Sequence, residues 1–440
     1  MFAPPLGICY LARALENRGD NVEIFDLRYR GTKKEALENI LTEVDVVGVS
    51  IPSFSLRNAF RLCSFIKEID PYIPIIIGGP HCSLYPKDVI RKINVDVSVN
   101  GEGEGIISMI LDALEKGSKP MIPGVFYKDK NGNIKGTKGA NIIKNLDEIP
   151  FPSRHLVEKY EYGYLFGFKF FKGKCTSTIT SRGCPCTCRF CSREITGMEK
   201  YRTRSAENVV EELEDIYMDG YNSVIIADDN FLANRKRANR IFDSIIEKGF
   251  KLEIFVQGAR VDSANKETYE KMKKAGVTTI AFGIESGNQD ILDFYNKKTT
   301  LDQIGYAVDL SKKTGFFTIG NFIIGAPIEN EQHIRNTIQF ASSLQLDFAL
   351  FSILEYSAGS QIWKEAVENG KIRRDEYRVM SDATRGLGKL PLKELERWQK
   401  RAYSTFCLTP RYLNNQIRNM VKKKDFSLIR GGINLFKHLF

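Results

Sequence analysis

Four cysteines fall within eight residues of one another, Cys184-Pro-Cys186-Thr-Cys188-Arg-Phe-Cys191. Three of them, Cys184, Cys188 and Cys191, are spaced C-x3-C-x2-C. Thiolates are soft ligands that select iron–sulfur clusters, zinc or copper(I). A structural zinc site closes its tetrahedron with four ligands, usually as two spaced pairs. No second C-x-x-C pair and no H-x3-H partner follows this group. Three thiolates that leave one metal corner open suit a catalytic cluster better than a structural site. A zinc knob or a chance surface cluster is the bland alternative. Cys186 stands outside the spacing as a bystander, although spacing alone leaves open a register that uses it. Cys9, Cys63, Cys82, Cys175 and Cys407 are scattered without a pairing pattern, as buried or reduced thiols are.

A loop of this kind needs rigid elements on either side. Between Cys175 and about Glu355, β-branched runs alternate with helical patterns. Strands are predicted at 175–181, 223–227, 252–257, 278–283, 317–324 and 347–354, with a helix after Ser205 that turns Val209, Val210, Leu213 and Ile216 inward. Six such units of roughly thirty residues make a parallel barrel or partial barrel, whose functional residues belong at the C-terminal strand ends. The cysteine loop follows the first strand. Asp228-Asp229-Asn230 follows the second, Gln257 and Arg260 the third, and Glu285-Ser286-Gly287 the fourth; the fifth carries Gly320-Asn-Phe-Ile-Ile-Gly325. Taken singly, each has an ordinary reading as turn or capping chemistry.

Upstream, Pro5 opens a helix with Ile8, Leu11, Ala14 and Leu15 on one face, and Gly19 closes it. Four almost continuously apolar runs follow, at 22–27, 44–51, 73–77 and 95–99, as strands covered on both faces are. This alternation predicts an α/β fold with a doubly wound parallel sheet. In such sheets ligands sit beyond the C-terminal strand ends, here at Ser50-Ile-Pro-Ser53, Gly78-Gly79-Pro-His81 and Gly101-Glu102-Gly-Glu104. A hairpin is predicted around an Asn131-Gly-Asn turn, between Val125-Phe-Tyr127 and Ile134.

The C-x3-C-x2-C loop after a barrel's first strand resembles that of the radical SAM enzymes. The order of the N-terminal glycine turns resembles the cobalamin-binding domain found ahead of many of them. The resemblance implies a flavodoxin-like B12-binding sheet, then a partial (βα)6 TIM-like barrel, then a C-terminal helical region acting as a lid or cap. It implies a 4Fe-4S cluster on Cys184, Cys188 and Cys191, with S-adenosylmethionine on the fourth iron. Phe190 is then expected against the adenine. Asp228 and Asp229 are expected to accept from the amino group, Glu285 and Ser286 to bind ribose, and Gly320 and Gly325 to read the adenine edge. Cobalamin is expected at Ser50, Ser53, Gly78, Gly79, Gly101 and Glu102. The Asp-x-His-x-x-Gly motif is missing, so cobalamin without a protein histidine on cobalt is implied, and His81 reads as a hydrogen-bonding residue. No strand precedes the first helix. In a flavodoxin-like order that strand lies inside the sheet, so the expectation is a start assigned at an internal methionine rather than a degenerate domain.

The expected domains are 1–140 (B12-binding-like), 141–174 (linker), 175–358 (radical SAM core) and 359–440 (helical). The 42% hydrophobic and 27% charged content is that of an ordinary globular protein. No run reaches the ~18 apolar residues of a membrane span, and no signal peptide is evident. A reducing cytoplasm suits the free thiols and an oxygen-sensitive cluster. The net charge of +10 is spread along the chain, so no nucleic-acid partner is expected. Lys422–Lys424 and the apolar residues from Ile429 to Phe440 form the local exception. Packing on the protein itself is the favoured reading of this tail, with peripheral contact to an anionic membrane as the other. The resemblance further implies an electron donor of ferredoxin or flavodoxin type, with no obligate protein partner. It implies methyl transfer to an unactivated carbon of a lipid, tetrapyrrole or other small molecule. The alternatives are a radical cyclase or oxidative rearrangement without methyl transfer and, more remotely, a non-catalytic zinc or electron-transfer protein.

Overall fold

Short runs of isoleucine and valine form the two sheets on which the chain is organised, in a computed structural model that describes residues 1–29, 34–129, 131–165, 168–171, 173–192 and 201–415. The sheets belong to two units. One is made of Pro4–Tyr160 together with residues 201–202; the other of Met1–Ala3, Glu161–Ser192 and residues 203–415.

In the N-terminal unit β1 (Val47–Ser50), β2 (Ile75–Gly78) and β3 (Val97–Val99) run parallel. The expected hairpin, β4 (Val125–Lys128) and β5 (Ile134–Gly136), continues the same sheet antiparallel, so the sheet is mixed rather than purely parallel. Side chains alternate across a pleated strand. Ile75 and Ile77 therefore share a core with Ala59, Cys63 and Ile66 of the helix Leu56–Ile69, while Ile76 joins Ile107, Ile110 and Leu111 of the helix Ile107–Glu115. The first helix, Leu6–Arg18, ends on Gly19 as expected. It buries Cys9, Tyr10 and Ala12 more deeply than the predicted face of Ile8, Leu11, Ala14 and Leu15, because it is covered on both sides.

The second unit holds six parallel strands in sequence order: β6 (Cys175–Thr178), β7 (Ser223–Ile226), β8 (Glu253–Ala259), β9 (Val277–Glu285), β10 (Phe317–Ile324) and β11 (Phe348–Ile353). The sheet is open, a partial barrel, with β6 and β11 at its edges. Val224, Ile254, Ile280 and Phe322 pack in the core shared with the flanking helices, and Ile225, Phe255, Ala281 and Ile319 in a second one with Phe171. Five of those helices begin on a capping side chain that accepts from the first turn: Ser205, Asn234, Asn265, Thr300 and Asn330. Phe2 packs beside Phe170, Phe171 and Phe255, which is why Met1–Ala3 belong to this unit.

In the C-terminal region the helix Leu392–Cys407 is no separate lid. Its Leu395, Trp398, Ala402 and Phe406 enter the helix-side core, and Tyr403 Oη meets the backbone of Phe351 in β11. The basic run at 422–424 and the apolar residues after it lie outside the described residues. Among the described residues no helix is long and apolar enough to cross a membrane.

Two expectations are corrected here. Residues 141–160 are not a linker but part of the N-terminal unit, since Ser153 N–H donates to Cys9 O at 3.0 Å and His155 meets Glu16 at 2.8 Å. Residues 22–27 are not a strand, because no strand among the described residues lies beside them to complete a ladder. Two of their backbone groups are satisfied instead by one side chain. The Tyr160 hydroxyl accepts from Asp26 N–H at 3.1 Å and donates to Ile24 O at 3.0 Å. Tyr160→Phe removes partners from two buried backbone groups and is expected to destabilise the N-terminal unit by about 1–3 kcal/mol. A urea unfolding midpoint equal to wild type would show that these groups do not depend on Tyr160.

Candidate functional site

The cysteine loop leaves β6 under tight control. Thr180 N–H and Oγ1–H each donate to Asp228 at 2.6 Å, and Ser181 Oγ donates to it at 2.5 Å. Arg237 Nη2 donates to Thr180 O at 2.7 Å. Asp228 is 3% exposed, and burial raises its carboxyl pKa against these stabilising bonds. Both of its oxygens are thus used in shaping the loop, so the expected acceptor of a ligand's amino group is instead a loop anchor. Its neighbour Asp229 is exposed, with its charge felt at Cys184 and Cys191.

The far side of the loop docks on residues 294–297 and on the helix Gln361–Glu368. Arg189 N–H donates to Tyr295 O at 3.0 Å, and its guanidinium pairs with Glu365 at 2.6 Å. Asn296 Nδ2 donates to Thr187 O at 3.0 Å. Phe190 meets Tyr295 edge-on at 5.0 Å, with Lys297 Nζ 6.0 Å from its ring centre. The cysteines are not disulfide-bonded. Asn230 Nδ2 lies 3.9 Å from Cys184 Sγ and 4.0 Å from Cys186 Sγ, and Arg260 Nη1 lies 3.8 Å from Cys188 Sγ. The Cys186 thiol hydrogen-bonds to Cys184 and pulls its pKa down.

Among the described residues no three His, Cys, Asp or Glu side chains gather around a point where one metal ion would sit. The fit to a cluster rests on the donor set. Three soft thiols are carried by one short loop at a strand end, and N–H donors and cations face them, as a net-negative thiolate cluster requires.

The remaining candidates divide. Glu285 ends β9 and pairs with Lys297 at 2.6 Å, both buried. Burial opposes the Lys297 charge most strongly, but Glu285 and Cys188 together raise the ammonium pKa against it. Ser286 is fully buried, and its hydroxyl is taken up by Thr337 and Asn288, so it braces the turn instead of facing a ribose. Gly320 is a packing glycine: a Cβ there would lie 2.7 Å from Leu346 and 2.9 Å from Ile284. Gly325 lies in the turn after β10, where its carbonyl accepts from Ser381 Oγ at 2.6 Å and its N–H donates to Glu329.

Sequence reading missed Glu329, and also Tyr295 and Lys297, which lie beyond the helix that follows the Glu285 motif. Only Glu329 had a local signal, four residues after Gly325 and inside the same turn. It is 1% exposed, with one carboxylate oxygen on Gly325 and Ala326 N–H and the other unpartnered.

In the N-terminal unit, Ser50 and Gly78 end two of three neighbouring parallel strands, and Ser53, Gly79 and Gly101 follow the three. Ser53 Oγ lies 3.1 Å from His81 Nδ1, and burial lowers the His81 pKa to about 4, leaving the ring neutral. Gly101 has φ 96°, and a Cβ there would lie 2.4 Å from Asn141 O, so only glycine fits this turn. These neutral hydroxyls and backbone amides suit a large amide-bearing ring such as the corrin. Glu102 does not join them: it forms a two-pronged ion pair with Arg202 at 2.8 and 2.9 Å and accepts from Ile143 N–H at 2.6 Å.

Burial raises the Glu329 pKa from 4.5 to about 7. A carboxyl raised in the folded state contributes most below its unfolded pKa, and its stability is lost as pH rises from about 4.5 through 7. Relative to Glu329→Gln, the wild type is therefore expected to lose on the order of 3 kcal/mol across that window. Parallel stability–pH curves for the two proteins, from denaturant titrations, would rule this out.

Residues 178–341 match the radical SAM superfamily, and residues 1–111 match the B12-binding domain. An uncharacterized methyltransferase of Pyrococcus horikoshii is 32% identical over 424 residues, covering 94% of this chain and 90% of its own. The anaerobic magnesium-protoporphyrin IX monomethyl ester cyclase of Rubrivivax gelatinosus is 26% identical, over 82% of this chain and 66% of its own. The cobalamin-dependent S-adenosylmethionine radical enzyme OxsB, solved with aqua-cobalamin and S-adenosylmethionine, has the same fold: TM-score 0.71 at 18% identity, over 97% of this chain and 69% of that one. This chain belongs to the cobalamin-binding radical SAM enzymes, whose cofactors are a 4Fe-4S cluster, S-adenosylmethionine and cobalamin.

Proposed function

We propose that the protein is a cobalamin-dependent radical SAM methyltransferase acting on an unactivated carbon of a lipid, tetrapyrrole or other small metabolite. The observation that carries this reading is the similarity to a methyltransferase of Pyrococcus horikoshii across nine-tenths of both chains. The cysteine loop at the end of β6 and the neutral strand-end loops of the N-terminal unit support it. When bound, the reduced cluster supplies the electron that cleaves S-adenosylmethionine to a 5′-deoxyadenosyl radical, and cobalamin supplies a methyl carrier.

The chain's own part is to hold and shield. Cys184, Cys188 and Cys191 bind the cluster, while Asp228 and Arg237 fix where their loop starts. Phe190 offers an apolar ring to the adenine, and Asp229 an exposed carboxylate to the amino group. Glu285 would meet the ribose with its charge already balanced by Lys297. Ser50, Ser53, Gly78, Gly79 and Gly101 hold the corrin. A ferredoxin- or flavodoxin-type protein supplies the electron.

A second reading, a radical cyclase without methyl transfer, is favoured by one observation, the similarity to the Rubrivivax cyclase. Anaerobic reconstitution with iron, sulfide and cobalamin separates the two. The methyltransferase reading expects bound cobalamin, 5′-deoxyadenosine and S-adenosylhomocysteine when substrate extracts are supplied. The cyclase reading expects 5′-deoxyadenosine without S-adenosylhomocysteine. A colourless protein holding stoichiometric zinc would overturn both. Cys184→Ser, Cys188→Ser and Cys191→Ser are each expected to abolish 5′-deoxyadenosine release, and Cys186→Ser to retain it. Iron analysis of the four variants checks the assignment independently of turnover.

A further inference from the structure

Two buried N–H donors are aimed at the sulfurs of the cysteine loop from neighbouring strand ends. Arg260 follows β8 and is 8% exposed. Its Nε and Nη2 are held by Asp262 at 3.0 and 2.8 Å, and Nη2 also donates to Lys297 O at 2.6 Å. That clamp leaves Nη1, which points to Cys188 Sγ at 3.8 Å. Asn230 follows β7 and is 3% exposed. Its side chain makes no capping bond to the short turn Phe231–Ala233 that it precedes, and its Oδ1 is buried without a partner. Its Nδ2 faces Cys184 Sγ at 3.9 Å and Cys186 Sγ at 4.0 Å. Helix capping therefore does not account for Asn230, nor does surface solvation for Arg260.

We propose that Arg260 and Asn230 are positioning residues that set the reduction potential of the cluster by donating N–H bonds to the thiolates of Cys188 and Cys184. The proposal rests on the reading of Cys184, Cys188 and Cys191 as cluster ligands. Cluster potentials are governed by net charge, solvent exposure and hydrogen bonds to sulfur. A donor or a positive charge beside a ligand sulfur stabilises the more negative, reduced cluster, and it does so most strongly where water is excluded. Both groups therefore raise the potential. The clamp on Arg260 matters because a guanidinium held through Nε and Nη2 keeps an Nη1 N–H on the sulfur without further loss of side-chain freedom.

The test is a redox titration of the anaerobically reconstituted full-length chain, followed by electron paramagnetic resonance, with iron and sulfide measured on the same samples. Arg260→Gln at wild-type iron content is expected to lower the midpoint by at least the equivalent of a tenfold change in the one-electron equilibrium, about 59 mV. Arg260→Lys keeps the charge but not the fork, and is expected to fall between the two. Asn230→Leu, nearly isosteric and neutral, is expected to lower the midpoint by less than Arg260→Gln. A fully loaded Arg260→Gln with an unchanged midpoint overturns the assignment for Arg260, and the same result in Asn230→Leu overturns it for Asn230. Failure of both variants to take up iron overturns tuning in favour of a role in assembly. A wild-type chain that binds no iron and sulfide overturns the cluster reading itself, before any variant is compared.

Discussion

A buried network of two arginines and two carboxylates beneath the cysteine loop is the constraint from which the rest of the barrel site follows. Asp228 receives Thr180 and Ser181, and Arg237 donates to Thr180 O at 2.7 Å and to Arg204 O at 2.8 Å. Arg204 pairs with Glu212, which also accepts from Thr178 Oγ1 at 2.6 Å, and Arg204 reaches Ile179 O at 3.1 Å. Residues 178–181 are thus gripped at nearly every polar atom, at the point where the β6–β7 ladder ends. Such networks add little net stability compared with a well-packed apolar core, because burying charge is costly. What they confer here is a unique exit path. A loop presenting three thiols to one cluster tolerates little positional freedom, and apolar packing at a strand end would leave several exits of similar energy.

The same logic applies to the contacts that the neighbouring strands supply. Asn230, Arg260 and Glu285 lie at or just past the ends of β7, β8 and β9, whose positions are set by the parallel ladder, and Lys297 reaches Glu285 from beyond the next helix. Their bonds are made by side chains carried on or just beyond those strands, so the site inherits the geometry of the sheet. The five capped helices matter for the same reason. Each cap satisfies first-turn N–H groups, fixing where a helix begins and how the preceding loop is drawn over the strand end.

The six barrel strands and the cysteine motif were legible because each is local: β-branched runs at a regular spacing, and ligands within one turn of chain. Asp228 was legible as a strand-end acid but not as an anchor, since its role depends on how deeply the next turn buries it. Ser286 and Gly320 were ambiguous for a related reason. A hydroxyl just past a strand and a glycine within one suit both a ligand and tight packing, and the packing partners Thr337 and Leu346 are distant in sequence. Residues 22–27 carry strand composition, yet composition expresses a preference that pairing must realise. Tyr160, more than 130 residues away, satisfies the backbone instead. Glu102 was read from a glycine-rich turn, whereas its partner Arg202 lies a hundred residues on.

Glu285 shows how such non-local decisions concentrate at the site. It is one of three non-glycine residues with positive φ among those described, at 70°. A left-handed carboxylate residue of this kind costs of order 1–3 kcal/mol unless its surroundings hold it there. The surroundings do. The β9–β10 register slips between Gly283 and Glu285, turning the glutamate side chain back over the strand. Gly283 then lies beneath it, where a Cβ would stand 2.5 Å from the Glu285 carboxylate and 2.9 Å from Lys297 Nζ. Lys297 closes the arrangement from the segment that also docks the cysteine loop and receives Arg260. A glycine that makes room, a slipped register that turns the chain and a lysine that balances the charge thus converge on one carboxylate. Together the three hold a charge-balanced carboxylate close enough to the cysteine loop for its charge to be felt at Cys188.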